Sequence, residues 1–117
     1  MSRIIAQLMY LQMQIRIFHW QTKKYSRHKA FGKFYDAMDG LLDRFVEVYQ
    51  GQMGRVAFNQ TLDLKNMDES VDIDEVLVRA INMLTNEIEQ GTTSDLLNIR
   101  DEILSEINRL RYLLTLE

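Results

Sequence analysis

The two histidines of the chain lie nine positions apart, on either side of a short basic segment. They belong to the stretch FHWQTKKYSRH, in which Trp20 follows His19 and His28 closes the segment. Imidazole is both a general acid–base group and a common metal ligand. Cysteine is absent, so a metal site here would use nitrogen and oxygen ligands, which suit iron, manganese or zinc. Because a lone histidine on a helix is more often structural, the metal hypothesis requires accompanying carboxylates.

Asp43 and Glu47 are the carboxylates whose spacing suits a shared cation. They are one helical turn apart, where two like charges are unfavourable unless a cation lies between them. His28 and Asp43 are 15 positions apart, which corresponds to about 22 Å along a helix. The histidines and carboxylates of one chain therefore cannot share an ion. Two copies with antiparallel second helices could bring them together about a two-fold axis, giving two equivalent sites.

The helix that carries these carboxylates has two contrasting faces. Its apolar residues predict a core-facing side, formed by Phe31, Phe34, Met38, Leu41, Leu42, Phe45 and Tyr49. The opposite strip carries the acidic residues together with Gly32 and Gly40. Glycine inside a helix costs roughly 1 kcal/mol relative to alanine, so we expect another backbone to approach closely there. The two-fold axis would then pass near residues 36–37.

Four long helices are predicted, and no stretch shows strand-type alternation. Proline is absent and the five glycines are few, so long helices meet little interruption. The helices are expected at about residues 2–24, 27–53, 72–90 and 94–116. Asp72 with Glu75 resembles a capping box, and the fourth helix has a bundle-type seam at Leu96, Ile103, Ile107, Leu110 and Leu114. The fold class is all-α, a four-helix bundle forming one domain over residues 1–117, with either simple or crossover topology.

The first helix is apolar on two sides, whereas a surface helix of a lone bundle needs only one apolar stripe. One side contains Ile4, Ile5, Leu8, Leu11, Ile15 and Phe18, and the other contains Ala6, Tyr10, Met13 and Ile17. The second side favours a subunit interface, and the alternative is a tilted or loosely packed helix.

Charge and hydropathy exclude several classes of function. The net charge of −3 and the lack of a lysine-rich tail weigh against electrostatic binding of nucleic acid. No stretch is long and apolar enough to cross a membrane, and the N-terminus lacks a signal-peptide cleavage pattern. We therefore expect a cytoplasmic protein.

The residues around the histidines resemble the Dps family (DNA protection during starvation), the miniature ferritins. The resemblance lies in His19-Trp20 and in RHKAFGKFYDAMDGLLDRFVEVY, which has the histidine, aromatic pair and D-x-x-x-E of that family, over about residues 13–50. It implies a ferritin-like bundle with a ferroxidase centre between two-fold-related subunits. His19 and His28 would come from one subunit and Asp43 and Glu47 from its partner. Trp20 would lie beside the iron as an electron donor.

The resemblance implies a homo-oligomer, a dimer or a larger cage, that oxidises Fe(II) with O2 or H2O2 and sequesters iron under oxidative stress. The chain departs from the family pattern at Gly32, where an acidic residue is common, and in a shorter link between the histidines. A different class of function stays open: a ferritin-like helical dimer without catalysis that acts as a structural or binding module. DNA compaction is the least expected role because of the net charge.

Overall fold

A computed structural model describes residues 1–68 and 71–116, and over these ranges the chain forms four α-helices and no strands. The helices are α1 (Ser2–Gln21), α2 (Tyr25–Met53), α3 (Ile73–Asn86) and α4 (Ser94–Leu113). The predicted all-α four-helix bundle is confirmed. The junction between α1 and α2 lies earlier than predicted, because residues 22–24 leave the helical conformation where the sequence suggested residues 25–26.

The ends of the helices follow local capping chemistry. Asp72 caps α3 by accepting a hydrogen bond from the backbone N–H of Glu75 at 3.2 Å, as the capping-box pattern predicts. α2 ends at Met53 because Gly54 has a φ of 89°, a conformation that favours glycine. The prediction that α3 continues to about residue 90 was too long. The chain leaves the helix after Asn86, and a turn containing Gly91 follows.

Ion pairs between helix ends establish the directions of neighbouring helices. Arg111, near the end of α4, pairs with Asp74, near the start of α3, at 2.7 Å. Arg3, near the start of α1, pairs with Glu87, just beyond the end of α3. Helices α3 and α4 are therefore antiparallel, and so are α1 and α3. Since the short junction also makes α1 and α2 antiparallel, α2 and α3 run in the same direction.

The connection from α2 to α3 consequently travels the length of the bundle. Its described part, residues 54–68, lies along α1 and is held there by two glutamine side chains. The buried amide of Gln14 accepts the N–H of Lys65 at 2.8 Å and donates to the carbonyl of Lys65 at 2.7 Å. Gln21 accepts the N–H of Met67 at 2.6 Å. The topology is therefore the single-crossover form, which is the connectivity of ferritin-like bundles.

The crossover segment, residues 54–68, accounts for part of the two-sided apolar character of α1. Both sides of α1 contribute buried residues, including Ile5 and Ala6, and the crossover segment lies against this helix. Part of the extra apolar surface thus serves contacts within the chain, and a subunit interface on α1 stays a prediction.

One hydrophobic core joins all four helices. The predicted core face of α2 is confirmed, since Phe31, Phe34, Met38, Leu42 and Phe45 are buried and Leu41 and Tyr49 are partly buried. The predicted seam of α4 is confirmed as well, with Ile99 as an additional member and Leu114 partly buried. The core leaves the opposite strip of α2 at the surface. None of the described helices combines the length and apolar character needed to cross a bilayer.

Candidate metal centre

The two histidines meet across the junction between α1 and α2. His19 lies in the last turn of α1 and His28 in the first turn of α2. Nδ1 of His19 lies 2.6 Å from the backbone oxygen of His28, and Nδ1 of His28 lies 2.8 Å from the backbone oxygen of His19. Each ring is thus fixed to the backbone of the other helix. The reciprocal pair of hydrogen bonds joins the two helix ends.

These hydrogen bonds determine which ring nitrogens are available for a ligand. A carbonyl oxygen only accepts hydrogen bonds, so the Nδ1 of each histidine carries a proton and donates. In the neutral rings, Nε2 then carries the lone pair. Histidines that bind metals commonly use this arrangement, in which the second nitrogen donates to a carbonyl and fixes the orientation of the ring. The described hydrogen bonds leave Nε2 of both His19 and His28 for a metal ion.

The two rings are stacked and do not converge on a single ion. Their centroids are 3.8 Å apart and their planes differ by 16°. The lone pair of an imidazole nitrogen lies in the ring plane, and a bond from nitrogen to zinc is about 2.1 Å. An ion in the plane of one ring therefore lies outside the plane of the other. In this conformation each histidine could hold an ion of its own.

Gly32 makes room for His19. A Cβ atom at Gly32 would lie 3.0 Å from Cε1 of the His19 ring, closer than real Cβ contacts normally come. We expected another backbone to approach at Gly32. Within the chain, the imidazole of His19 occupies this space instead. Gly40 differs, since nothing lies within 4 Å of where its Cβ would be. The prediction of a close approach by another chain thus rests on Gly40.

Asp43 and Glu47 form a neighbouring carboxylate pair on the exposed strip of α2. A hydrogen bond that protonated Glu47 donates to Asp43, and then the repulsion between the two charges, hold the pKa of Glu47 above its ordinary value, with a smaller contribution from desolvation. A raised pKa shows that full ionisation of the pair is disfavoured. A bound cation would remove that penalty, so the pair has the electrostatics of a site for a metal ion.

The chain brings its candidate ligands together in two separate pairs. His28 and Asp43 both lie on α2, so the helical rise keeps them about 22 Å apart. Over the ranges that the structure describes, no cluster of three or more histidine, aspartate or glutamate side chains could hold a metal ion. The histidine pair and the carboxylate pair of one chain are two incomplete halves.

Trp20 lies beside the histidines and is largely exposed to solvent, with 65% of its surface accessible. The guanidinium of Arg16, one turn earlier, lies 5.2 Å from the Trp20 ring and 4.1 Å from the ring of Tyr35 on α2. Arg16 and Tyr35 line a cavity of about 150 Å³ together with His19, Gly32 and Asp36. The sequence pattern does not single out Arg16, because its contact with Tyr35 depends on how α1 packs against α2.

The comparisons with known proteins bear on this part of the chain. A family described as "Family of unknown function (DUF5856)" matches residues 19–114, which is most of the sequence. The chain belongs to this family. The matched DUF5856 region begins at His19 and includes His28, Asp43 and Glu47.

One relative comes from Enterobacteria phage T4. The chain is 30% identical over 112 residues to the "Uncharacterized 14.6 kDa protein in mobD-ri intergenic region" of that phage. The aligned residues are 94% of this chain and 84% of the phage protein. No solved structure matches the chain.

Proposed function

We propose that the chain is an iron-binding protein of the miniature-ferritin type, which oxidises Fe(II) at a site formed between two copies. The reciprocal hydrogen bonds of the histidine pair carry this proposal, because they fix the orientation of both rings and leave the lone pair on Nε2 of each neutral ring. The other half of the site would be the coupled carboxylates Asp43 and Glu47 of a second copy.

Charge along the exposed strip of α2 supports an antiparallel arrangement of the two copies. Lys29 and Lys33 are exposed near the start of this helix, whereas Asp43 and Glu47 are exposed in its second half. When two α2 helices run antiparallel about a two-fold axis, the basic end of each faces the acidic part of the other. Gly40 is open to solvent near the middle, where two helices would come closest.

The residues would act on Fe(II) as a substrate. Nε2 of each histidine would provide one nitrogen ligand to an ion of its own, and the partner's Asp43 and Glu47 would provide oxygen ligands that favour Fe(III) after oxidation. Few protein ligands leave open positions for O2 or H2O2, which accepts the electrons. A cation between the two carboxylates would offset the repulsion that raises the pKa of Glu47. Trp20 is placed to give an electron at the edge of the site, and zinc or manganese could occupy the same ligands.

An aerobic titration with Fe(II), followed by ultraviolet absorbance, tests the proposal. We expect saturable oxidation above the buffer rate in the unaltered chain, and its loss in His28→Ala and in Asp43→Ala. Asp101→Ala is the matched control, since Asp101 is an exposed carboxylate on α4 that pairs with Arg100. Absence of both oxidation and bound iron in the unaltered chain would contradict the proposal.

A second candidate is a helical dimer without catalysis that acts as a structural or binding module. The lack of a three-ligand cluster among the described residues of one chain favours it, because catalysis then depends wholly on the partner. Light scattering separates a dimer from a larger cage, and only a cage could store an iron mineral. For either function we expect the cytoplasm as the location, and DNA compaction remains the least favoured role.

A further inference from the structure

Arg16 is a half-buried arginine that forms no ion pair or hydrogen bond with the described residues. Two other half-buried arginines behave differently: Arg100 pairs with Asp101 at 2.9 Å, and Arg111 pairs with Asp74 at 2.7 Å. No nitrogen of the Arg16 guanidinium is both buried and without a partner among the described residues, so its N–H groups are open to solvent or to a ligand.

Aromatic stacking accounts for only part of the surroundings of the Arg16 guanidinium. Arg16 lies over the rings of Tyr35 and Trp20, and such contacts stabilise the faces of a guanidinium. The N–H groups of a guanidinium lie in its plane, where they form a fork that matches two oxygen atoms of an oxyanion. Stacking on the rings leaves this fork available.

The fork borders a cavity of suitable size. The cavity of about 150 Å³ is lined by Arg16, His19, Gly32, Tyr35 and Asp36. A water molecule in the liquid occupies about 30 Å³, so the space has room for a group of about five heavy atoms, such as phosphate. The missing side chain at Gly32 lets the His19 ring form one wall of this cavity.

We propose that this cavity is a binding site for a phosphate-type oxyanion, held by the in-plane N–H groups of Arg16. Two N–H donors to two oxygens would form a charge-assisted bidentate contact, and Tyr35, which also lines the cavity, has a hydroxyl group that would be a further donor. The phosphate could be free inorganic phosphate or a phosphodiester of a nucleic acid strand. The chemistry that Arg16 recognises is the same in both.

Asp36 makes it possible to distinguish an anionic ligand from a cationic one at this site. Its carboxylate lines the same cavity and would repel an oxyanion, while it would attract a metal ion. Replacement of Asp36 by asparagine should therefore strengthen anion binding. The same replacement would weaken the binding of a cation, so the direction of the effect identifies the charge of the ligand.

The test uses the full chain, freed of metal with a chelator, and the fluorescence of Trp20, the single tryptophan, as a reporter that contacts Arg16. One arm titrates inorganic phosphate, and the other titrates a short single strand of thymidine nucleotides. We expect a saturable change in at least one arm, weakened about tenfold or more in Arg16→Gln, which loses charge and fork. Arg16→Lys should give an intermediate loss, and Asp36→Asn should bind more tightly.

Arg44→Gln is the matched control, because Arg44 pairs with Glu102 on the side of α2 that faces α4. This variant should bind as the unaltered chain does, and circular dichroism should give the same helix content for every variant. Binding in the phosphate arm identifies the free anion as a ligand, and binding in the oligonucleotide arm alone identifies a phosphodiester. No saturable change in either arm, unchanged affinity in Arg16→Gln, or weaker binding in Asp36→Asn would overturn the proposal.

This site goes beyond the iron-oxidation function and does not depend on it. The titrations contain no iron, and Arg16 and Asp36 are outside the set of ligands assigned to the metal. Loss of anion binding and loss of iron oxidation are therefore separate results.

Discussion

At the scale of single residues, the stacked histidines and Gly32 depend on one another. The His19 ring occupies the space of a side chain at position 32, and Nδ1 of each histidine donates a hydrogen bond to a backbone carbonyl. Each such hydrogen bond contributes about 1 kcal/mol. A side chain at position 32 would have to displace the ring and break this arrangement, even though alanine favours the helix.

Substitution of the two strip glycines should therefore have opposite effects. In Gly32→Ala, the helix gains about 1 kcal/mol, but the displaced His19 loses its hydrogen bond and its stacking, so we expect net destabilisation of about 1 kcal/mol. In Gly40→Ala, nothing obstructs the new methyl group, and we expect stabilisation of about 0.5–1 kcal/mol. Urea unfolding measures both changes. The imidazole resonances of His19 in NMR spectra should shift in the first variant only.

Equal stabilisation by both alanines would contradict this account. It would mean that the His19 ring moves away from position 32 at no cost, and that the reciprocal hydrogen bonds do not hold the junction between α1 and α2.

At the scale of elements, two glutamines of α1 hold the crossover segment. Gln14 is almost wholly buried, with 1% of its surface accessible, and its amide satisfies both the N–H and the carbonyl of Lys65. Removal of a buried amide leaves backbone groups to find water or remain unpaired, which costs about 1–3 kcal/mol. The segment that decides the topology is thus attached to the bundle by side-chain hydrogen bonds as well as by the packing of Val56 and Met67 against the core.

Gln14→Ala should lower the free energy of unfolding by about 1–3 kcal/mol and speed amide hydrogen exchange at Lys65. Gln7→Ala is the control, because Gln7 is exposed on the same helix. Chemical denaturation and exchange measured by NMR provide the two readouts. If Lys65 exchanges at the same rate in both variants, Gln14 does not anchor the segment.

The ion pair between α3 and α4 predicts a dependence of stability on pH. The hydrogen bond and charge of Arg111 hold the pKa of Asp74 below its ordinary value of 3.8. The unfolded chain therefore binds a proton at Asp74 at a higher pH than the folded chain does. Stability from this pair is fully present above the ordinary pKa and is lost as the pH falls through the folded value.

In Arg111→Gln the pKa of Asp74 should return toward its ordinary value. We expect thermal unfolding at pH 7 to occur at a slightly lower temperature than in the unaltered chain, with the difference shrinking below pH 4. The effect is modest because the pair is solvent-accessible, with 38% and 58% of the two side chains exposed. A difference between the two proteins that grows on acidification would refute this assignment.

Sequence patterns predicted the helices well because glycine positions and apolar periodicity are local signals. The core face of α2 and the Asp72 cap follow directly from them. The crossover could not be chosen in this way, since a long polar connection fits both topologies, and Gln14 looks like any polar residue until its partner Lys65 is known. Local sequence signals were also insufficient to predict the geometry of the candidate site. Spacing separated the histidines from the carboxylates, but the packing of His19 against Gly32 and the contact of Arg16 with Tyr35 arise from packing between helices.

At the scale of the whole molecule, charge is unevenly divided along the exposed strip of α2. The basic start and the acidic second half make this surface complementary to a second copy of itself in the antiparallel orientation. Two identical sites would form at the same time, one on each side of the two-fold axis. Each site would take its histidines from one chain and its carboxylates from the other. A histidine substitution and a carboxylate substitution in the same chain would therefore damage different sites.

This geometry predicts complementation between two inactive variants. In a mixed dimer of His28→Ala and Asp43→Ala chains, one site keeps both histidines and both carboxylates, and the other site loses a group from each set. Random pairing of equal amounts should restore about one quarter of the iron-oxidising sites of the unaltered dimer. Co-expression of the two chains with different tags, followed by aerobic Fe(II) titration of the unfractionated product, measures this, and isolated mixed dimers should reach about one half. A mixture of His28→Ala with His19→Ala is the control, because both changes remove a histidine and no mixed dimer has a complete site. If the first mixture is no more active than the average of its separate components, the site does not lie between two chains.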